Sequence, residues 1–108
     1  MSTARHSISS PNGATFSAEL FEPATANAPA VIVIHEWWGI NDDIRRIAGD
    51  FVAEGYAALA VDLYDGKSTT DPSEALGLAN DLKTGEAMDK IAGAVGFLAP
   101  THSKIGIT

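Results

Sequence analysis

Cysteine is absent from this chain, which excludes a disulfide framework, a thiolate metal site and a cysteine nucleophile within it. Positive charge is scarce: seven Lys plus Arg stand against fourteen Asp plus Glu, a formal net charge of −7. That balance repels phosphate backbones and anionic lipid, so neither nucleic acid nor a membrane surface is an expected partner. Long apolar runs are missing too. The longest, Ala28 to Ile34, contains Pro29 and falls far short of the ~18 residues of a spanning helix. Met1 to Ser10 carries Arg5 and His6 but no apolar segment, so no signal peptide is expected and a cytoplasmic location is the default. There is no P-loop. Gly66-Lys67-Ser68-Thr69-Thr70 resembles the start of a nucleophile elbow but lacks the second glycine, which makes Ser68 a poor nucleophile.

What is present suits a globular α/β chain. Of the 108 residues, 45% are apolar and 19% charged, the composition of one soluble domain spanning 1–108. Ile8, Pro11-Asn12-Gly13 and then Phe16, Ala18 and Leu20 at spacing two predict a half-exposed hairpin, with Asn-Gly supplying positive φ angles at a tight turn. Ala30-Val31-Ile32-Val33-Ile34 and Tyr56-Ala57-Ala58-Leu59-Ala60-Val61 are apolar at every position, the pattern of strands covered on both faces. Between them Ile40, Ile44, Ile47, Ala48, Phe51 and Val52 recur with helical spacing, with Asn41 as N-cap and Gly55 at the C-terminal cap. Asp71-Pro72-Ser73-Glu74 predicts a second helix to about Leu82. Thr84 is the expected cap of a third, with Met88, Ile91, Ala92, Val95 and Leu98 on its inner face and Gly93 to Gly96 suited to close packing. Lys104 to Thr108 begins a third core strand. The order implies an α/β fold in three layers, with a mostly parallel sheet and an N-terminal antiparallel hairpin.

Ligands of open α/β sheets bind beyond the carboxyl ends of the strands. That rule selects His35-Glu36-Trp37-Trp38-Gly39 and Asp62-Leu63-Tyr64-Asp65-Gly66. Glu36 reads equally as a site acid or a solvated loop carboxylate. His35, closing a buried strand, is expected to find a backbone partner and serve structure. Trp37 and Trp38 are adjacent, so their side chains should diverge and only one can be core; the other lines a pocket or covers the first helix. Asp62 and Asp65 allow a magnesium reading, but aspartate at such turns more often serves its own backbone. His6 and His102, with no second ligand at metal spacing, are expected at the surface, and no metal or cofactor is expected.

From Val31 to Tyr64, and most specifically in His35-Glu36-Trp37-Trp38-Gly39 and Asp62-Leu63-Tyr64, the sequence resembles the dienelactone hydrolase family of the α/β-hydrolase fold. The resemblance extends from the Pro-Asn-Gly hairpin to Lys104-Ile105-Gly106-Ile107-Thr108. It implies a hydrolase of small carboxylic esters or lactones working through a Cys, His and Asp triad. In that family a Gly-aromatic-Cys-x-Gly elbow follows the strand that Lys104 to Thr108 matches. The chain therefore corresponds to the N-terminal part of an incomplete α/β-hydrolase fold, expected to be inactive by itself. Glu36 matches the acid that contacts the resting thiol, and Trp37 the residue whose backbone N–H is one oxyanion-hole donor. Trp38 and Tyr64 fall where substrate is bound. Some members hold a substrate carboxylate with an arginine after the second core strand; here no arginine follows Arg46. A short binding or self-assembly module, pairing through the exposed sheet edge, is the alternative. Incomplete covering of the last strand leads us to expect a marginal or partly molten state in isolation.

Overall fold

The computed structural model describes residues 1–108. Strands β1 (Ser2–Ser9) and β2 (Thr15–Glu22) are followed by β3 (Ala30–Ile34), helix α1 (Asp42–Ala53), β4 (Ala57–Val61), helices α2 (Pro72–Asp81) and α3 (Thr84–Leu98), and β5 (Ile105–Ile107). The five strands form one mixed sheet in the order β1-β2-β4-β3-β5. β3 runs parallel to both β4 and β5, while the β1–β2 hairpin joins the outer edge of β4 antiparallel.

Period-two alternation distributes the core to both faces of this sheet. Val33, Ala58, Ala60 and Phe21 face α1, where Ile44 and Ala48 are buried against them. Ile32, Leu59, Val61, Phe16 and Leu20 face the opposite way, under Ala94 and Leu98 of α3 and Leu78 of α2. Helices thus cover both faces, and every residue of β4 is buried. The small Ala58 and Ala60 on the α1 side leave room for that helix, while the larger Leu59 and Val61 fill the other layer.

The ends of α1 follow from local chemistry. Asn41 accepts the Ile44 N–H at 3.1 Å. At the far end the Gly55 N–H donates to the Val52 carbonyl at 2.9 Å and the Tyr56 N–H to Phe51 at 3.0 Å. This is a Schellman motif, and the rings of Phe51 and Tyr56 meet edge-on at 6.1 Å as its apolar contact. Asp71 caps α2 through the Glu74 N–H at 3.2 Å, with Pro72 opening the helix.

Several expectations need correction. The β1–β2 turn is wider than a two-residue connection: Gly13, not Asn12, has positive φ, and the Asn12 side chain accepts the Ala14 N–H at 2.9 Å. Thr84 is the first residue of α3 rather than its cap; Lys83 occupies that position without a side-chain bond. The inner face of α3 is also rotated from the expected one. Leu98 is buried as expected, but Gly93 and Ala94 are buried beside it, whereas Met88 is 58% and Val95 37% exposed. Close approach explains the rotation, since a Cβ on Gly93 would lie 2.8 Å from the Ser9 carbonyl oxygen. Gly96 meets nothing and plays no such part. β5 lies at the sheet edge, with Ile107 57% exposed. His102, expected at the surface, is 4% exposed, and its Nδ1–H donates to the Ala28 carbonyl at 2.7 Å. That bond ties the α3–β5 connection to the segment leading into β3. His6 is half-buried, its ring 4.9 Å from that of Phe97.

Candidate active site

Beyond the carboxyl end of β3, residues Glu36 to Gly39 make a tight turn, closed by the Gly39 N–H donating to the Glu36 carbonyl at 3.1 Å. Gly39 has φ +85°, and a Cβ there would lie 2.5 Å from the Lys67 carbonyl oxygen. Glycine is therefore required twice, by conformation and by space. The turn docks on the loop that follows β4. The Thr69 N–H donates to the Trp38 carbonyl at 3.0 Å, and Ser68 packs against Gly39.

His35 joins the two segments. Its Nε2 accepts the Leu63 N–H at 3.0 Å, so Nε2 is the bare nitrogen and the proton sits on Nδ1. Nδ1–H then donates to the Glu36 carbonyl at 2.7 Å. A backbone partner is expected for His35, and it has two. Its ring also meets that of Tyr64 edge-on at 4.6 Å. Tyr64 is 7% exposed and belongs to the core; burial raises its phenol pKa above the ordinary value.

The Glu36 carboxylate is exposed. Trp37 is 39% exposed, while Trp38 is half-buried. The two indoles do not diverge as expected; their centroids lie 5.0 Å apart with planes inclined by 58°. A reversal of chain direction within the tight turn brings adjacent side chains together, where an extended backbone would separate them. The Trp37 N–H makes no hydrogen bond within the chain.

Asp62 serves its own turn. One carboxylate oxygen accepts the Tyr64 N–H at 2.9 Å, the other the Gly66 N–H at 2.8 Å. Asp65 instead pairs with Lys90 at 3.3 Å, so the two carboxylates are not joined in one site. Beside Asp62 a cleft of about 130 Å³ is lined by Arg5, Ser17, Glu19, Arg45 and Ser68 among others. Of its two arginines Arg45 is engaged: it donates Nε–H to one Glu19 oxygen at 3.0 Å and a terminal N–H to the other at 3.3 Å. The hydrogen bonds that Arg45 donates to Glu19 raise its pKa, against the effect of burial.

Sequence reasoning selected His35 to Gly39 and the Asp62 turn separately. It missed that residues 67–69 complete the docking of the first turn, for which Gly39 and Gly66 were the available signals.

Helices on both faces of one mixed sheet, with a stapled turn at the carboxyl end of β3, match the α/β-hydrolase fold. The family model for the dienelactone hydrolase family matches residues 16–107, and the chain belongs to that family. Among its relatives, Protein usf of Aquifex pyrophilus is 37% identical over 91 residues, covering 74% of this chain and 39% of its own. Carboxymethylenebutenolidase of Pseudomonas putida is 34% identical over 90 residues, covering 81% and 38% respectively. The matches thus take in about two-fifths of the length of these relatives. Similar solved folds include the α/β hydrolase GrgF from Penicillium sp. sh18, with TM-score 0.77 at 19% identity, covering 99% of this chain and 37% of that one. A dienelactone hydrolase-like promiscuous phosphotriesterase from metagenomic libraries aligns with TM-score 0.72 at 22% identity, covering 99% and 48%.

Proposed function

We propose that this chain supplies the N-terminal half of the oxyanion hole, and the acid that tunes the nucleophile, of a hydrolase acting on small carboxylic esters or lactones. The observation carrying this reading is the unpaired Trp37 N–H, presented by a turn stapled at the carboxyl end of β3. Family membership supports it, as does the carboxymethylenebutenolidase name of the Pseudomonas putida relative.

In this scheme a thiolate attacks the ester carbonyl carbon, and the carbonyl π pair moves onto oxygen. The resulting anion is met by the Trp37 N–H and by a second N–H beside the nucleophile. The tetrahedral intermediate expels the alkoxide, which takes up a proton, and water then releases the acyl group as the acid. Glu36, exposed beside this turn, is the carboxylate that contacts the resting thiol. Trp38, half-buried in the turn, borders the substrate, whereas Tyr64, expected there from the sequence, is buried in the core against His35 and supports the turn from beneath. The 108 residues contain no cysteine, so this scheme takes its nucleophile from outside them.

The test is hydrolysis of an activated ester such as p-nitrophenyl acetate. The 108-residue chain is expected to give only the buffer rate. A rate above buffer that Glu36→Ala abolishes would overturn the proposal, because the chemistry would then be complete without a thiol. Reading the coding frame beyond the Thr108 codon supplies the second arm: a Gly-aromatic-Cys-x-Gly elbow there supports the proposal.

A further inference from the structure

We infer that His35 is a positioning residue for the oxyanion-hole donor: its imidazole, bridged between the Leu63 N–H and the Glu36 carbonyl, sets the direction in which the Trp37 N–H points. The inference rests on the reading of Trp37 proposed above, and it adds a residue to that machinery.

The Glu36 C=O and the Trp37 N–H belong to one peptide group. That group is planar and trans, so the two bonds point in opposite directions and fixing one fixes the other. The Glu36 carbonyl accepts two hydrogen bonds, from His35 Nδ1 at 2.7 Å and from the Gly39 N–H at 3.1 Å. The Gly39 bond closes the turn on itself, so peptide and turn can still rock together as a unit. The His35 bond reaches outside it. Through Nε2 the same ring holds the N–H of Leu63, a buried residue immediately beyond β4. The other ties between turn and loop, Trp38 to Thr69 and Gly39 to Lys67 and Ser68, end on residues that are exposed or half-buried.

The ring itself is well held. His35 is buried and rests edge-on against Tyr64 at 4.6 Å. Its partners demand one tautomer: an acceptor at Nε2 for Leu63 and a donor at Nδ1 for Glu36. A side chain that packed there without both functions would fill the space and release the peptide. A carboxamide carries an NH2 donor group and an acceptor oxygen, so Gln can replace both bonds.

The experiment is measurement of amide residual dipolar couplings on the ¹⁵N-labelled chain, comparing wild type, His35→Phe and His35→Gln. If His35 orients the peptide, the Trp37 coupling in His35→Phe departs from the wild-type value or averages toward zero. Couplings in β3 and β4 keep their pattern, and His35→Gln restores the Trp37 value. A purely structural role would lower the melting temperature without turning this one vector. An unchanged Trp37 coupling in folded His35→Phe overturns the inference.

Should His35→Phe fail to fold, the wild-type ring decides through its ¹⁵N spectrum. The Nδ1–H tautomer supports the bridge, and the Nε2–H tautomer overturns it. None of these readouts requires turnover, so a failure of the ester-hydrolysis test and a failure of this inference are seen separately.

Discussion

The imidazole of His35 accepts the backbone N–H of Leu63 at 3.0 Å, so a side chain ties the carboxyl ends of β3 and β4 where the sheet ladder stops. Replacing His35 by Phe leaves that buried N–H unpaired. A cost of about 1–3 kcal/mol in unfolding free energy is expected, with smaller loss in His35→Gln. Urea denaturation of the three proteins measures it; equal stabilities would mean that the bond contributes nothing.

Gly39 and Gly96 make opposite predictions for the same substitution. Gly39→Ala forces a Cβ to within 2.5 Å of the Lys67 carbonyl at φ +85°, and should destabilise the fold by about 2 kcal/mol or more. Gly96→Ala places a methyl in open space on α3 and should stabilise by up to about 1 kcal/mol through helix propensity. Thermal melts of both variants, run side by side, test the pair.

Asp62 has both oxygens committed to backbone N–H groups. An amide at this position retains one acceptor, so Asp62→Asn should destabilise by about 1–3 kcal/mol. Millimolar magnesium should leave the wild-type melting temperature unchanged. A magnesium-dependent rise lost in Asp62→Asn would revive a metal role for this turn.

Burial raises the Tyr64 pKa in the folded chain above its ordinary value of 10.0. Below pH 10 the phenol is protonated in both states and its stabilisation is complete. As pH rises through the interval between the unfolded and folded pKa values, the unfolded chain loses its proton first and stability falls. Tyr64→Phe removes this dependence. The stability of wild type relative to Tyr64→Phe should therefore decline above pH 10, and a constant difference would show that burial has no such effect.

Glu36 is exposed and its side chain makes no hydrogen bond, so Glu36→Gln should change stability by less than about 0.5 kcal/mol. In a preparation that hydrolyses esters through a thiol, the same substitution should lower kcat and alter its pH profile. Loss of activity together with loss of fold would remove Glu36 from the proposed machinery.

Much of the architecture was legible because it depends on local pattern. Unbroken apolar runs marked β3 and β4, helical spacing with Asn41 and Gly55 bounded α1, and Asp71-Pro72 opened α2. The candidate site was legible as two segments, because the carboxyl ends of strands follow directly from the strand assignments. The third helix was less so. Its Gly and Ala residues carry weak hydrophobic signal, yet they face the sheet because Ser9 and Phe16 leave no space at Gly93 for anything larger. His102 was misplaced for a related reason: its partner Ala28 lies 74 residues away, a separation that no local window spans.

The amino-acid sequence by itself determined the strands, the principal helix and the turn residues, since periodicity, capping and glycine conformation act over a few neighbouring residues. Its motif from His35 to Gly39 also carried the family. Tertiary structure alone decided that the loop after β4 docks on that turn, that His35 spans Leu63 and Glu36, and that Trp37 keeps an unpaired N–H. Those relations depend on which atoms a distant segment brings within hydrogen-bond reach, and only the packed sheet determines that distance.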